Sequence, residues 1–586
     1  MRPRAARLTL AAALGLTTLV VALAVLQARG WNGSVNADGV SYLDLARQYA
    51  NGDIGAITNG YWSPLYPLLL GVAQGGARLL GAGAPEMLLV LATNLVIFAA
   101  ATLSVVRLAR VLASSPARDA TPASGAVVLA RGLAAGALCI WMLLRMITAT
   151  AITPDALLTI WLFLASADIV EAGTEEPSVR RHLRFGAVLA LGYWTKAVFL
   201  PVALVALVAY VVATPKAWRR RATTRALIPL MLIALPLVAV QSWTQGRPSF
   251  GETGRLNYRW YVGNLPHAPP LHERVEETRK RVQRGEAAAV ALASAPGGVL
   301  FTGAPAGSFA YWYDASRYEP RAGAPFSLRA QWDVVVFNAH WFRVTAGTFA
   351  LFAVVGAAAA AGRATVRPRR LLAMLPAATM LALYAMTHPE GRLGAPAIAC
   401  LLLVVVHLAD AGPPGRRRPL LVVECIALVL LSVVALGRTA KRIPTGAVTA
   451  RAPAPSAASL RAAGVAPGAS IALAGSAFGQ LWAHEADVHI VAVLPAADSL
   501  SGAGEPAFRT LMAEAAARGT PLDAVVWSGG AVRTVDAVPL ATGWWALRPG
   551  APAATGLAEP RPRPRTPRAA PPVGAPRRAP GPAARP

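Results

Sequence analysis

The stretch Arg184-Phe-Gly-Ala-Val-Leu-Ala-Leu-Gly-Tyr-Trp-Thr-Lys196-Ala-Val-Phe-Leu-Pro-Val-Ala-Leu-Val-Ala-Leu-Val-Ala-Tyr-Val-Val-Ala-Thr-Pro-Lys216 decides the fold. One apolar run leads from an arginine to a lone lysine, Lys196. A second leads from that lysine to Lys216, Arg219, Arg220, Arg221 and Arg225. Paired apolar runs with a short turn between them and cations at their outer ends read as a transmembrane hairpin. Cationic loops resist translocation, so the arginine ends belong in the cytoplasm and the Lys196 turn outside.

The same alternation extends in both directions. Upstream, an apolar stretch from Leu8 to about Gln27 follows Arg2, Arg4 and Arg7. It is long for the core of a cleaved signal, and no small-x-small site follows it. It therefore reads as a retained first helix with its N-terminus cytoplasmic. Spans follow at about Glu86–Val106, Ala126–Thr148 and Ala156–Val170, and the quoted hairpin supplies the fifth and sixth. Downstream come about Ala226–Ser242, Val344–Ala361, two spans flanking His388 to Ala395, and Leu420–Leu436. Every second short loop is rich in arginine. This predicts an all-α polytopic protein of about 11 spans in a bacterial-type plasma membrane.

Composition agrees. Of the 586 residues, 55% are hydrophobic and 15% charged, and the mean hydropathy is +0.46. A string of soluble domains is excluded. The net charge of +27, from 56 basic against 29 acidic residues, is placed mostly between apolar runs and in the C-terminal tail. That pattern orients a chain in a bilayer and argues against a nucleic-acid partner. Cys139, Cys400 and Cys425 all fall inside apolar runs, so neither a disulfide framework nor a thiolate metal site follows.

Three units are expected. Residues 1–440 form the membrane domain, with outer loops at 29–85 and 243–341. Residues 456–549 alternate β-prone runs (Ser470–Leu473, Val488–Leu494, Asp523–Trp527) with a helical stretch, Ala507–Ala517, and read as a small extracytoplasmic α/β module. Residues 550–586, mostly Pro, Ala, Arg and Gly, are too poor in apolar side chains to offset ordering entropy and read as disordered.

Polar groups near membrane depth are costly unless used. Here they gather on the outer side: Asp38, Asp44 and Asp53 in the first loop, Asp155 between the third and fourth spans, Lys196 at the hairpin tip, and His388, Glu390 and Arg392 between the ninth and tenth spans. Lys196 is one of only four lysines in the chain, which sets it apart from ordinary surface charge. Asp38 and Tyr42 are four apart, on one face of an interfacial helix, unless Asp38 merely caps that helix. Tyr61, Trp62 and Tyr66 suit the headgroup layer. The stretch Phe250 to Tyr258 reads either as an acceptor contact or as a surface loop with an ion pair.

Taken in order, Asp38/Tyr42/Ala46, the aromatic Trp62–Pro67 segment, Thr153-Pro-Asp-Ala-Leu157, Gly192-Tyr-Trp-Thr-Lys-Ala197 and His388-Pro-Glu-Gly-Arg-Leu393 carry a resemblance. Over roughly residues 1–440 the chain resembles the polytopic glycosyltransferases of the GT-C fold, on the branch of the protein-mannosyltransferases and aminoarabinose transferases, including the RgtA/B/C/D-like group. The resemblance implies transfer of a sugar from a polyprenyl-phosphate carrier to a lipid, glycan or protein acceptor outside the membrane. It matches Asp38 to the family's first-loop acid, Asp155 to the acid between spans three and four, and Thr195-Lys196 to its Thr-Lys pair. Glu390 and Arg392 match its late Glu-x-Arg-Tyr signature. The sequence departs from the family at Gly39, where a second acid usually stands, and at Leu393, where an aromatic does.

Those residue types suit that chemistry. A carboxylate, Asp38, takes the acceptor's proton, and Lys196 and Arg392 hold the lipid phosphate. Tyr42, His388 and Glu390 support them, Glu390 by orienting Arg392 or pairing with it. Asp155 either assists Asp38 or holds a divalent cation, the one cofactor the residues leave open. Two other readings compete: a transporter or flippase of a lipid-linked glycan, which predicts two-half symmetry and charges at mid-membrane, and a ligase or polymerase moving a whole glycan. A catalytically inactive binding protein also stays open because of Gly39.

Overall fold

The computed structural model describes residues 3–114, 125–172, 178–264, 287–304, 306–319, 324–339, 368–407, 417–441, 453–495, 505–528 and 537–547. The span expected at 344–361 and the tail from 550 lie outside these residues.

Helices occupy the other expected spans. In chain order they begin with α1 (Pro3–Arg29), α2 (Ala37–Ala50), α3 (Leu65–Leu79) and α4 (Glu86–Ser114). Then come α5 (Gly125–Ile140), continued by a π-helical turn Trp141–Ile147, α6 (Asp155–Glu171), α7 (Val179–Thr195), α8 (Phe199–Ala213) and α9 (Arg219–Gln245). Helices Leu375–Ala385, Gly391–Val405 and Arg417–Ala440 follow later. Among the described residues four helices are long and apolar enough to cross a membrane: Leu10–Arg29, Glu86–Ser114, Gly125–Ile147 and Lys216–Gln245. Val96 on α4, Leu129 on α5 and Leu232 on α9 are 69%, 65% and 72% exposed. Such surface is unfavourable against water over this extent and is met by lipid tails. This is a membrane protein.

Inside the bundle α4 packs on α6, and α7 on both α6 and α9. Gly186 permits the α7–α9 approach, because a Cβ there would strike the Ala226 carbonyl. The loop between the first two expected spans is itself helical, with α2 lying against α3. Helix 328–339 turns Gln331 and Asn338 inward, where they donate to the carbonyls of Met386, Ala385 and Thr387. It leaves Leu328, Trp332 and Phe337 exposed. Arg329 and Asp333 are exposed on the same helix, so its outer face mixes apolar rings with charge.

The soluble part is a seven-stranded sheet in the order β1-β2-β4-β3-β5-β7-β6. Its strands are β1 (Ala289–Ala291), β2 (Val299–Phe301), β3 (Ser470–Ala474), β4 (His489–Leu494), β5 (Ala524–Ser528), β6 (Ala537–Ala541) and β7 (Trp544–Leu547). The central strands β4, β3 and β5 are parallel and are joined through helices Leu481–Ala486 and Glu505–Ala517, as parallel pairing requires. The hairpin β1–β2 adds antiparallel to β4, with Val299 opposite Val493. The sheet therefore draws two strands from the long outer loop, a partnership that sequence reading did not anticipate.

One buried ionic node fastens this sheet unit to the bundle. His484, on helix Leu481–Ala486, has its Nδ1 2.7 Å from Asp44 Oδ1 on α2 and its Nε2 2.9 Å from Glu86 Oε2 at the start of α4. Asp44 Oδ2 also accepts from the backbone N–H and hydroxyl of Ser308. Arg47 donates to the His484 carbonyl, and its Nη2 lies 2.8 Å from Nε2 as an opposing cation. Burial pulls the imidazole down, but hydrogen bonds to Asp44 and Glu86 override it and raise it to about 9 from 6.5. The node's stabilisation is then complete below about pH 6.5 and disappears as pH rises through about 9. Between pH 7 and 10, the protection factors of the amides in helix Leu481–Ala486, corrected for the intrinsic base-catalysed rate, are expected to fall in the wild type and to change far less in His484→Gln. Equal pH profiles would remove the node's role.

Threading has its own check. In a Cys425→Ala background, Ser34→Cys and Arg220→Cys are expected to label from opposite sides with an impermeant thiol reagent. Labelling of the Arg220 position from outside would invert the predicted orientation.

Candidate active site

Two helix ends place the first pair of charges. Pro154 begins α6 and Asp155 occupies its first turn, almost fully buried at 1% exposure. The loop that delivers it is pinned from two helices. Gln27 of α1 donates to the Leu144 carbonyl and accepts from the Ala149 N–H. Asn94 of α4 donates to the carbonyls of Ala149 and Ala151, and accepts from the Tyr66 hydroxyl. Lys196 leaves the end of α7 in an extended conformation. Its neighbours in the Gly-Tyr-Trp-Thr-Lys motif are structural. Thr195 accepts from the Trp161 indole, Trp194 donates to the Ile233 carbonyl, and a Cβ at Gly192 would meet the Phe199 ring. Thus held, Lys196 Nζ donates to Asp155 Oδ1 at 2.7 Å.

The second cation comes from the late motif. Glu390 begins helix Gly391–Val405 without using its carboxylate as a cap. Arg392 Nε donates to Glu390 Oε2 at 2.5 Å, and its Nη2 donates to Asp38 Oδ2 at 2.6 Å. The same Nε lies 3.9 Å from Asp155 Oδ2, a buried oxygen with no hydrogen-bond partner. Both cations thus face one carboxylate, and the structure brings Asp38, Asp155, Lys196, Glu390 and Arg392 together from four chain segments. Burial pushes the Glu390 carboxyl up, but His388 and Arg392 outweigh it and hold it down at about 2. Glu390 is a permanent counter-charge rather than a proton carrier.

Tyr42 and His388 join from the sides. Tyr42 is buried among Trp62 and Tyr66, with ring centroids 5.0 and 5.4 Å away. His388 Nε2 lies 3.5 Å from Glu390 Oε1, and its ring stacks on Tyr261 at 4.0 Å. Tyr261 belongs to a π-helical turn, Tyr258–Val262, in the long outer loop. It was missed because nothing in its local sequence distinguishes it from other loop aromatics. The same holds for Trp312, whose carbonyl accepts from the Trp62 indole.

Other outer-loop residues stand apart from the cluster. Asn36, not Asp38, caps α2, accepting from the Gly39 N–H. Asp44 serves the His484 node, and Asp53 caps a short 3-10 turn, Ile54–Thr58. Glu252, in the Phe250–Tyr258 stretch, is held by Arg247, Arg255 and Ser249. Gly39 is closely packed: a Cβ there would lie 2.5 Å from Val35 Cγ1, 2.9 Å from Asn36 Oδ1 and 3.1 Å from Ile152 Cβ. A second acid at this position requires the side chains of Val35 and Asn36 to shift. No group of three or more metal-ligating side chains among the described residues is arranged to hold an ion, and Asp38 and Asp155 are already engaged by Arg392 and Lys196.

No family model and no curated protein matches the chain. Among solved structures it is similar to an oligosaccharyltransferase of Archaeoglobus fulgidus in complex with Zn and sulfate. The identity is 13% and the TM-score 0.49, over 88% of this chain and 68% of that one. ArnT from Cupriavidus metallidurans, bound to undecaprenyl phosphate, is similar at 14% identity and a TM-score of 0.42, over 90% of this chain and 94% of the other. AglB from Archaeoglobus fulgidus, in complex with an inhibitory peptide and a dolichol-phosphate, gives 11% and 0.44, over 88% and 69%.

Proposed function

We propose that this chain is a membrane glycosyltransferase of the GT-C type, moving a hexosyl or pentosyl unit from a polyprenyl-phosphate donor to an acceptor on the extracytoplasmic face. The observation that supports it best is Arg392 held between Asp38 and Glu390, beside the Lys196–Asp155 pair. That arrangement sets two cations and a partly exposed carboxylate at the end of the bundle where α6 begins and α7 ends.

In this reading the donor phosphate seats against Arg392 and Lys196. It draws Arg392 from Asp38 and frees that carboxylate. The acceptor oxygen attacks the anomeric carbon while its proton passes to Asp38, and the bond from that carbon to the phosphate oxygen breaks. The polyprenyl phosphate leaves with the extra negative charge, which the two fixed cations stabilise. Asp155 positions Lys196, and Glu390 with His388 positions Arg392.

The test is direct. Membranes containing the full chain are supplied with a panel of polyprenyl-phosphate sugars, and transfer to endogenous lipid, glycan or protein is followed. Transfer from one donor, slowed at least about 100-fold in an Asp38→Asn control, is expected. A protein that moves intact lipid-linked glycan across vesicles without transferring sugar is a transporter, and the proposal fails.

A further inference from the structure

At the other end of α6 and α7 lies a cavity of about 490 Å³, lined by Arg107 and Arg110 of α4 and by Arg180, Arg181 and Arg184 of α7. Helix α6 is about 25 Å long, and it separates this cavity from the Asp155 cluster. Two carboxylates at the end of α6 organise the arginines. Asp168, fully buried, accepts from Arg107 at 2.5 Å and from Arg184 at 2.6 Å. Glu171 accepts from Arg107 at 3.0 Å, and its carbonyl accepts from Arg181. Among the described residues, five arginines against two carboxylates leave a surplus of three positive charges. The amino end of α7, capped by Ser178, adds its partial positive charge at the same wall. Arg107 Nε is buried with no hydrogen-bond partner.

We infer that this cavity is an anion site for a phosphate group, either the headgroup of an anionic lipid or a small soluble phosphate. Its volume is within the usual range for small ligands. Buried Asp168 fixes Arg107 and Arg184 in place, so little side-chain entropy is lost on binding. Arg110 and Arg180 are exposed at the rim and supply the planar forks that suit phosphate oxygens. A scattered cytoplasmic charge needs neither a cavity nor buried carboxylates to shape it. The site is independent of the glycosyltransferase reading, since it shares no residue with that cluster.

The full-length protein in a neutral detergent is titrated with pyrophosphate, with short-chain phosphatidylglycerol, and with short-chain phosphatidylcholine as the zwitterionic control. Thermal unfolding is the readout. Phosphatidylglycerol or pyrophosphate is expected to stabilise the wild type, and phosphatidylcholine is not. Arg110→Gln/Arg180→Gln leaves the Asp168 pairs intact and is expected to weaken binding about fivefold per arginine, roughly 30-fold for the pair. Lys216→Gln/Arg220→Gln removes the same charge outside the cavity and is expected to bind as the wild type does. Stabilisation by phosphatidylglycerol alone assigns the lipid headgroup; stabilisation by pyrophosphate assigns a soluble phosphate. Equal binding in both double variants reduces the effect to general surface charge and overturns the site. So does no stabilisation by either anion.

Discussion

Asp38→Asn is expected to slow sugar transfer by about 10²–10⁴ while leaving donor binding intact. The substitution is nearly isosteric. Its amide oxygen still accepts from Arg392, which in the wild type donates to Asp38 at 2.6 Å, so the cluster's geometry should persist. What is lost is a group able to take a proton. Asp155, buried at 1% exposure and bound to Lys196, is poorly placed to substitute, and Glu390 is held at about 2. Single-turnover rate and donor affinity, measured on one preparation, separate the two quantities. Normal turnover in the variant would remove Asp38 as the base.

Lys196→Met carries the second large effect. It removes a charge-assisted contact to the donor phosphate, so donor affinity should fall roughly ten- to 150-fold, equivalent to about 1.5–3 kcal/mol. It also strands Asp155, whose Oδ2 already has no hydrogen-bond partner. A buried carboxylate without its cation is strongly destabilising, so thermal stability should drop as well. Lys196→Met/Asp155→Asn removes both charges. Stability is then expected to recover substantially while donor affinity stays low. Recovery of both would mean that Lys196 serves only the fold, and the phosphate clamp would fall.

The charges at this cluster were legible because each is conspicuous where it stands. Lys196 interrupts a long apolar stretch, and Glu390 and Arg392 sit in a short turn between two more. Acids and bases placed at membrane depth require a reason, and topology supplies the common face. Asp44 was not separable from Asp38 on the same terms. Six residues apart on one helix, they point about 120° from each other, and only the partner 440 positions away, His484, shows which role Asp44 takes. Gln27 and Asn94 were invisible because each looks like a stray polar residue in an apolar helix until the backbone it satisfies is in view. The strands β1 and β2, three residues each, are too short for an alternating pattern to register.

The composite sheet also constrains when the protein can be finished. Leu300 pairs with Ala492, so the hairpin β1–β2 emerges from the ribosome about 190 residues before its partner strand exists. At ordinary synthesis rates that interval is roughly 10–40 s. During it several helices must be inserted into the bilayer while a bare strand edge waits unpaired, open to pairing with any other extended chain. Biogenesis thus passes through a half-built stage whose exposed backbone invites a holdase, and a nascent chain arrested before Leu494 is expected to be far more sensitive to protease than the completed one.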